Sequence, residues 1–114
     1  MDTVTPGQEA LCQLDDIPDG EAIAVDAVLP DGEESLILLR RGGAVQAYLN
    51  ICPHAGRRLD WAPGKFLLKN EILVCAAHGA SFRSGDGECI AGPCRGEHLR
   101  AVAVRVENDE VKLG

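Results

Sequence analysis

Short runs rich in Val, Ile and Leu, each closed by turn residues, recur along the chain and leave little room for anything but β structure. Six segments are expected as strands: Glu21 to Val28, Ser35 to Arg40, Ala44 to Leu49, Glu71 to Cys75, Leu99 to Glu107 and Glu110 to Leu113. No window longer than about 12 residues keeps an apolar period of 3.6, so any helices are short and the fold class is all-β. Within Ala101 to Val106, Arg105 breaks a mostly apolar run, which predicts a strand buried on one face and partly covered on the other. Asn108-Asp109 is expected to turn a tight hairpin because both residues tolerate positive φ. Arg41-Gly42-Gly43 is expected to do the same between the second and third strands.

A chain of 114 residues suits one domain, 1–114, and shows no linker, low-complexity tract or ordinary repeat. The 18 acidic and 11 basic side chains leave a net charge of -7, which repels polyanions, so no nucleic-acid partner is expected. Such acidity suits a carrier that docks on a basic patch, and equally a surface that only keeps a small protein dissolved. The first residues, Met1 to Gly7, carry neither a cationic head nor an apolar run, so no export signal is expected and the cytoplasm is the expected location. No apolar stretch approaches the roughly 20 residues of a membrane-spanning helix, so no membrane partner is expected.

Five cysteines in a chain read as cytoplasmic point to metal or redox chemistry rather than to a structural disulfide framework. Gly and Pro gather in three loop regions, 53–64, 79–87 and 92–96, and the first two adjoin Cys-His pairs. The pairs are Cys52-Pro53-His54 and Cys75-Ala76-Ala77-His78, with twenty residues between His54 and Cys75. Two thiolates and two imidazoles can close a tetrahedral zinc shell. Zinc fingers, however, pair Cys with Cys and His with His, whereas both pairs here are mixed.

The pattern resembles the signature of the Rieske 2Fe-2S domain family, Cys-x-His followed by Cys-x-x-His. Leu49-Asn50-Ile51 ahead of the first pair, Leu59 closing its loop, and Gly79 and Phe82 after the second share the resemblance. It runs from about Leu14 to the C-terminus and includes Gly92-Pro93, where the family has a proline loop over its cluster. It implies a fold of antiparallel sheets with a cluster-binding subdomain formed by two loops. It also implies a Rieske 2Fe-2S cluster held by Cys52, His54, Cys75 and His78, the thiolates on the inner iron and the imidazoles on the outer one near the surface. Two neutral imidazoles lower the cluster's negative charge and raise its potential above that of four-cysteine clusters. Gly56 and Gly79 would let the loops turn tightly and bring N–H groups to the sulfides.

Respiratory-chain members of the family tie their two loops with a disulfide, and the matching positions here are Arg57 and Ala77. The Ser and Tyr that hydrogen-bond the cluster in high-potential members correspond to Ala80 and Phe82. With fewer donors, the expected potential lies in the lower part of the range from about −150 to +300 mV. Ser81, one position out of register, compensates in part if its hydroxyl turns inward. Among the other cysteines, Cys12 is expected to pack as a small apolar side chain; Cys89 and Cys94, flanking Gly92-Pro93, would allow a regulatory disulfide but are expected as two free thiols in a reducing compartment. Trp61 is expected to pack the first loop. Arg57 and Arg58 would guide a partner, tune the potential or do nothing specific.

Of three histidines, two belong to the pairs, leaving His98, which is expected to start the last long strand. A non-haem iron oxygenase centre needs two further histidines and a carboxylate, and no nucleotide-binding glycine motif is present. The resemblance therefore implies an electron carrier rather than an enzyme: a ferredoxin component between a flavoprotein reductase and a terminal oxygenase. The alternative is a small electron-transfer subunit of a complex such as a nitrite reductase. A structural zinc-binding domain ranks below both.

Overall fold

The computed structural model describes residues 10–30, 32–53, 58–75, 79–92 and 94–114, and among them eleven strands form three antiparallel sheets. The central sheet has the order β2 (Ala22–Leu29), β3 (Gly32–Arg41), β4 (Ala44–Leu49), β9 (Ala101–Val102). β1 (Ala10–Gln13), β11 (Glu110–Leu113) and β10 (Val104–Glu107) make a second sheet in that order. The third runs β5 (Leu67–Lys69), β6 (Ile72–Val74), β7 (Ser81–Arg83), β8 (Cys89–Ala91).

The run Leu36-Ile37-Leu38-Leu39 explains the layering. All four side chains are buried, which a strand allows only when both of its faces are covered. Leu36 and Leu38 join Ala47, Leu49, Ile17 and Val111 in one core, against the β1-β11-β10 sheet. Ile37 and Leu39, on the opposite face by the two-residue period, join Tyr48, Leu73, Phe82 and four cysteines in another, against the β5–β8 sheet. Register agrees, since Leu38 pairs Ala47 on the first face and Ile37 pairs Tyr48 on the second.

Asn108 and Asp109 take φ of 52 and 61, the two positive values a tight hairpin requires, between paired Glu107 and Glu110. Gly42-Gly43 joins the paired Arg41 and Ala44, as expected. Four strands go beyond the sequence reading: β1, β5, β7 and β8 are three or four residues long, with β7 inside and β8 beside segments read as loop. The segment expected as Glu71 to Cys75 is strand only over Ile72–Val74, because Glu71 and Asn70 form a second turn with positive φ. The expected strand from Leu99 to Glu107 is two strands in different sheets: β9 pairs with β4 and β10 with β11, with Ala103 at the crossing. Val102, Val104 and Val106 are half-buried against the aliphatic core, whereas Ala101, Ala103, Arg105 and Glu107 are exposed, so the second face expected to be partly covered is open to solvent. No helix of the described residues is long and apolar enough to cross a membrane, which leaves strands unaddressed.

Candidate metal centre

The loop of the first Cys-His pair, the first candidate ligand loop, leaves β4 through Asn50, and that of the second joins β6 to β7. Cys52 and Cys75 are both fully buried and belong to one core cluster with Leu59, Leu73, Ala80 and Phe82. The fold thus brings together two thiols from loops more than twenty residues apart in sequence. His54 and His78 lie outside the described residues, as do Gly56, Arg57, Ala77 and Pro93.

Backbone hydrogen bonds close the second loop. Cys75 N donates to the Ala80 carbonyl at 2.7 Å and Gly79 N donates to the Cys75 carbonyl at 2.9 Å. Gly79 has φ of +72°, a left-handed turn that a residue without Cβ adopts at no steric cost.

The first loop is braced by residues that the sequence reading did not single out for this role. Asn50, 1% exposed, accepts the Leu59 N–H on Oδ1 at 2.8 Å, while its own N–H donates to the Ser35 carbonyl at 2.9 Å. Both ends of the loop are thereby tied to the end of β4. Asp60, its side chain 2% exposed, accepts Arg58 Nε at 3.0 Å, Arg58 Nη2 at 2.8 Å and Gly64 N at 3.0 Å. The Arg58 guanidinium holds the Asp60 carboxyl below its ordinary value, with smaller help from the Gly64 N–H and the Asn50 side chain. Arg58 is therefore engaged by a carboxylate rather than left as an isolated charge. A single Asn interrupting the apolar run Ala47 to Ile51 was the available sequence signal for this brace.

Ala80 and Phe82 are both fully buried, and their side chains contribute only methyl and phenyl surface. Ser81 lies between them on β7, paired with Val74, and strand alternation turns its side chain to the opposite face.

The remaining sequence candidates separate. Cys12 is half-buried against the aliphatic core, on the other side of the central sheet, and acts as a small apolar group. Cys89 and Cys94 are buried thiols, with Cys94 Sγ donating to Cys89 Sγ at 2.9 Å. Burial first, then the hydrogen bond and charge of Cys89, then the charge of Cys52, push the Cys94 thiol up to about 12. Trp61, expected to pack the loop, is instead 60% exposed. A tight turn, with Trp61 N donating to the Lys65 carbonyl at 2.9 Å and Lys65 N to the Ala62 carbonyl at 2.8 Å, leaves the indole beside an open groove lined by Ala22 and Phe66. His98 is exposed and precedes the strand it was expected to start; its backbone makes an isolated bridge to Glu88.

Two fully buried thiols, each from its own loop, fit the sulfur half of the donor set of a 2Fe-2S centre. Residues 8–107 match the family model described as Rieske [2Fe-2S] domain. The chain belongs to that family. The cofactor of this Rieske domain is a 2Fe-2S cluster of the Rieske type. The chain is 32% identical over 106 residues to the ferredoxin component of an alkene monooxygenase system from Xanthobacter autotrophicus, covering 91% of this chain and 78% of that protein. Among solved structures it is similar to the ferredoxin of carbazole 1,9a-dioxygenase from Nocardioides aromaticivorans IC177, with a TM-score of 0.75 and 30% identity over 97% of this chain and 98% of that one. The fold also matches a chain in a complex of reduced oxygenase and oxidized ferredoxin of carbazole 1,9a-dioxygenase, with a TM-score of 0.74 and 24% identity over 93% of this chain and 91% of that one.

Proposed function

We propose that this Rieske domain, acting as a single unit over residues 1–114, is the ferredoxin component of an oxygenase system. It accepts single electrons from a flavoprotein reductase and delivers them to a terminal oxygenase, in the cytoplasm. Cys52 and Cys75 hold one iron of the cluster, and His54 and His78 hold the other. When bound, the cluster supplies a one-electron couple, and the chain sets its potential and insulates its sulfur side. The observation that carries this reading is the convergence of Cys52 and Cys75 in one fully buried apolar core. Near-complete overlap with a ferredoxin supports the carrier reading, since the match covers 98% of that structure.

Buried Ala80 and Phe82 offer no hydrogen bond that would stabilise added negative charge, which favours a potential in the lower part of the range from about −150 to +300 mV. Rapid-mixing absorption spectroscopy tests the proposal. The purified protein should be reduced within a catalytic turnover by an NAD(P)H-dependent flavoprotein reductase and reoxidised by a Rieske-type terminal oxygenase. A stable stoichiometric complex with a large catalytic subunit, and no exchange with a free reductase, would favour the fixed-subunit reading instead.

A further inference from the structure

Cys89 and Cys94 bracket a segment that doubles back on itself. Cys89 N donates to the Glu97 carbonyl at 2.8 Å, Gly96 N to the Cys89 carbonyl at 3.2 Å, and Glu97 N to the Cys94 carbonyl at 2.9 Å. This ladder holds the two side chains face to face, with their sulfurs 2.9 Å apart and both thiols buried. A disulfide bond is 2.03–2.05 Å long, so less than one ångström of side-chain movement separates the pair from bonding. Cys12 lies across the central sheet, and Cys52, which also neighbours the Cys94 thiol, is with Cys75 a proposed cluster ligand, which leaves Cys89 and Cys94 to each other.

The segment between them also touches the second ligand loop. Gly92, at φ of +98°, sits so close to Ala80 that a Cβ would lie 2.8 Å from the Ala80 Cα. Ala80 in turn accepts the Cys75 N–H. A covalent tie at the base of this segment would therefore fix the wall against which the second ligand loop rests.

We propose that Cys89 and Cys94 form a reversible dithiol–disulfide couple that staples the 89–94 segment against the second ligand loop. The oxidant is a small-molecule disulfide. One cysteine sulfur, as thiolate, attacks it, breaks its S–S bond, and releases one small thiol. The second cysteine sulfur then displaces the other small thiol from the mixed disulfide. Two electrons pass to the small disulfide, and the two protein protons leave on the two released thiols. This holds whether the electron acceptor is a terminal oxygenase or a fixed catalytic subunit.

The holoprotein is incubated with oxidised glutathione under native conditions, blocked with an alkylating agent and digested with trypsin. Peptide Ser84–Arg95 contains Cys89 and Cys94 and no other cysteine. It should lack both alkyl groups and have lost two hydrogens, and a phosphine applied before blocking should restore two alkylated thiols. The oxidised holoprotein should also lose its visible absorption to an iron chelator several-fold more slowly than the reduced one. Cys89→Ser and Cys94→Ala, each with its cluster spectrum intact, should show neither effect. Two alkylated thiols after oxidation, or either sulfur bonded to Cys12, Cys52, Cys75 or a second chain, would overturn the proposal. Equal rates of cluster loss in the two states would overturn the staple.

Discussion

On one face of the central sheet Leu36, Leu38, Ala47 and Leu49 meet Ile17 and Val111. On the other, Ile37, Leu39 and Tyr48 meet Leu73, Phe82 and Cys52, Cys75, Cys89 and Cys94. The first core is aliphatic and rests on a hairpin in register over eight residue pairs, from Ala22↔Leu39 to Leu29↔Gly32. The second rests on strands of three residues, joined by turns that need positive φ at Asn70, Glu71, Gly79 and Gly87. Four of its buried side chains are thiols, which bury less apolar surface than Leu or Ile at about 25 cal/mol per Å². The aliphatic half is built to fold on burial alone. The cysteine half depends on hydrogen-bonded loops and, because binding to a site absent from the unfolded chain adds directly to folding free energy, on its metal.

Removing a proposed ligand tests this contrast most severely. Cys52→Ser, Cys75→Ser, His54→Ala or His78→Ala should abolish or grossly alter the visible spectrum of the cluster. In the same variants, amide exchange should lose protection in β5–β8 while the β2–β3–β4 amides stay protected. Uniform loss of protection across all three sheets would show that the two halves fold as one unit and would end the comparison.

Truncating the largest fully buried side chain of the cysteine half comes next. Phe82→Ala should cost about 3–5 kcal/mol in denaturant unfolding, from lost apolar transfer and the cavity left behind. The cost should be larger in protein stripped of iron than in the holoprotein if the cluster shares the work of holding this core together. An equal cost in both forms would place the support of β7 in the packing alone.

The unequal legibility of the two halves follows from the same physics. Long apolar runs with clear turns, such as Ala22 to Leu49, announce their strands because burial on a repeated face is what forms them. The strands β5, β7 and β8 are too short to show a period, and cross-strand partners rather than propensity define them. The Cys52 and Cys75 positions were legible because thiols at that spacing carry chemistry. The brace of Asn50 and Asp60 was not, since it depends on which backbone N–H groups the folded loop leaves without strand partners. The exposure of Trp61 was hidden for a related reason: the 61–65 turn, not the indole's apolarity, decides where it points. The splitting of Ala101 to Glu107 between two sheets left no mark on its composition.

Acid sharpens the contrast at Asp60. Its carboxyl, paired with Arg58 and the Gly64 N–H, titrates below its unfolded value of about 3.9. A depressed folded value contributes stability at neutral pH that is lost as the pH falls below about 4 and through the folded value. Asp60→Asn should cost about 1.5–3 kcal/mol at pH 7, the range for hydrogen bonds to a charged group, and should flatten the acid limb of the stability curve. Loss of cluster absorption on acidification should begin at higher pH in Asp60→Asn than in the native protein, since the first ligand loop has then already lost its charged brace. An unchanged acid profile in the variant would remove Asp60 from the support of that loop.

His98 supplies the smallest effect and the boundary of the cysteine half. It is the one histidine outside the two ligand pairs; its side chain is exposed, and its backbone bridges Glu88 just ahead of β8. Replacing an exposed side chain while the bridge remains removes no buried contact, so His98→Ala should change stability by no more than about 0.5 kcal/mol. Its visible and electron paramagnetic resonance spectra should match those of the native protein, because His98 is not among the proposed ligands. A shifted spectrum in His98→Ala would instead bring the β8 edge into the cluster environment and extend the metal-dependent half beyond the two ligand loops.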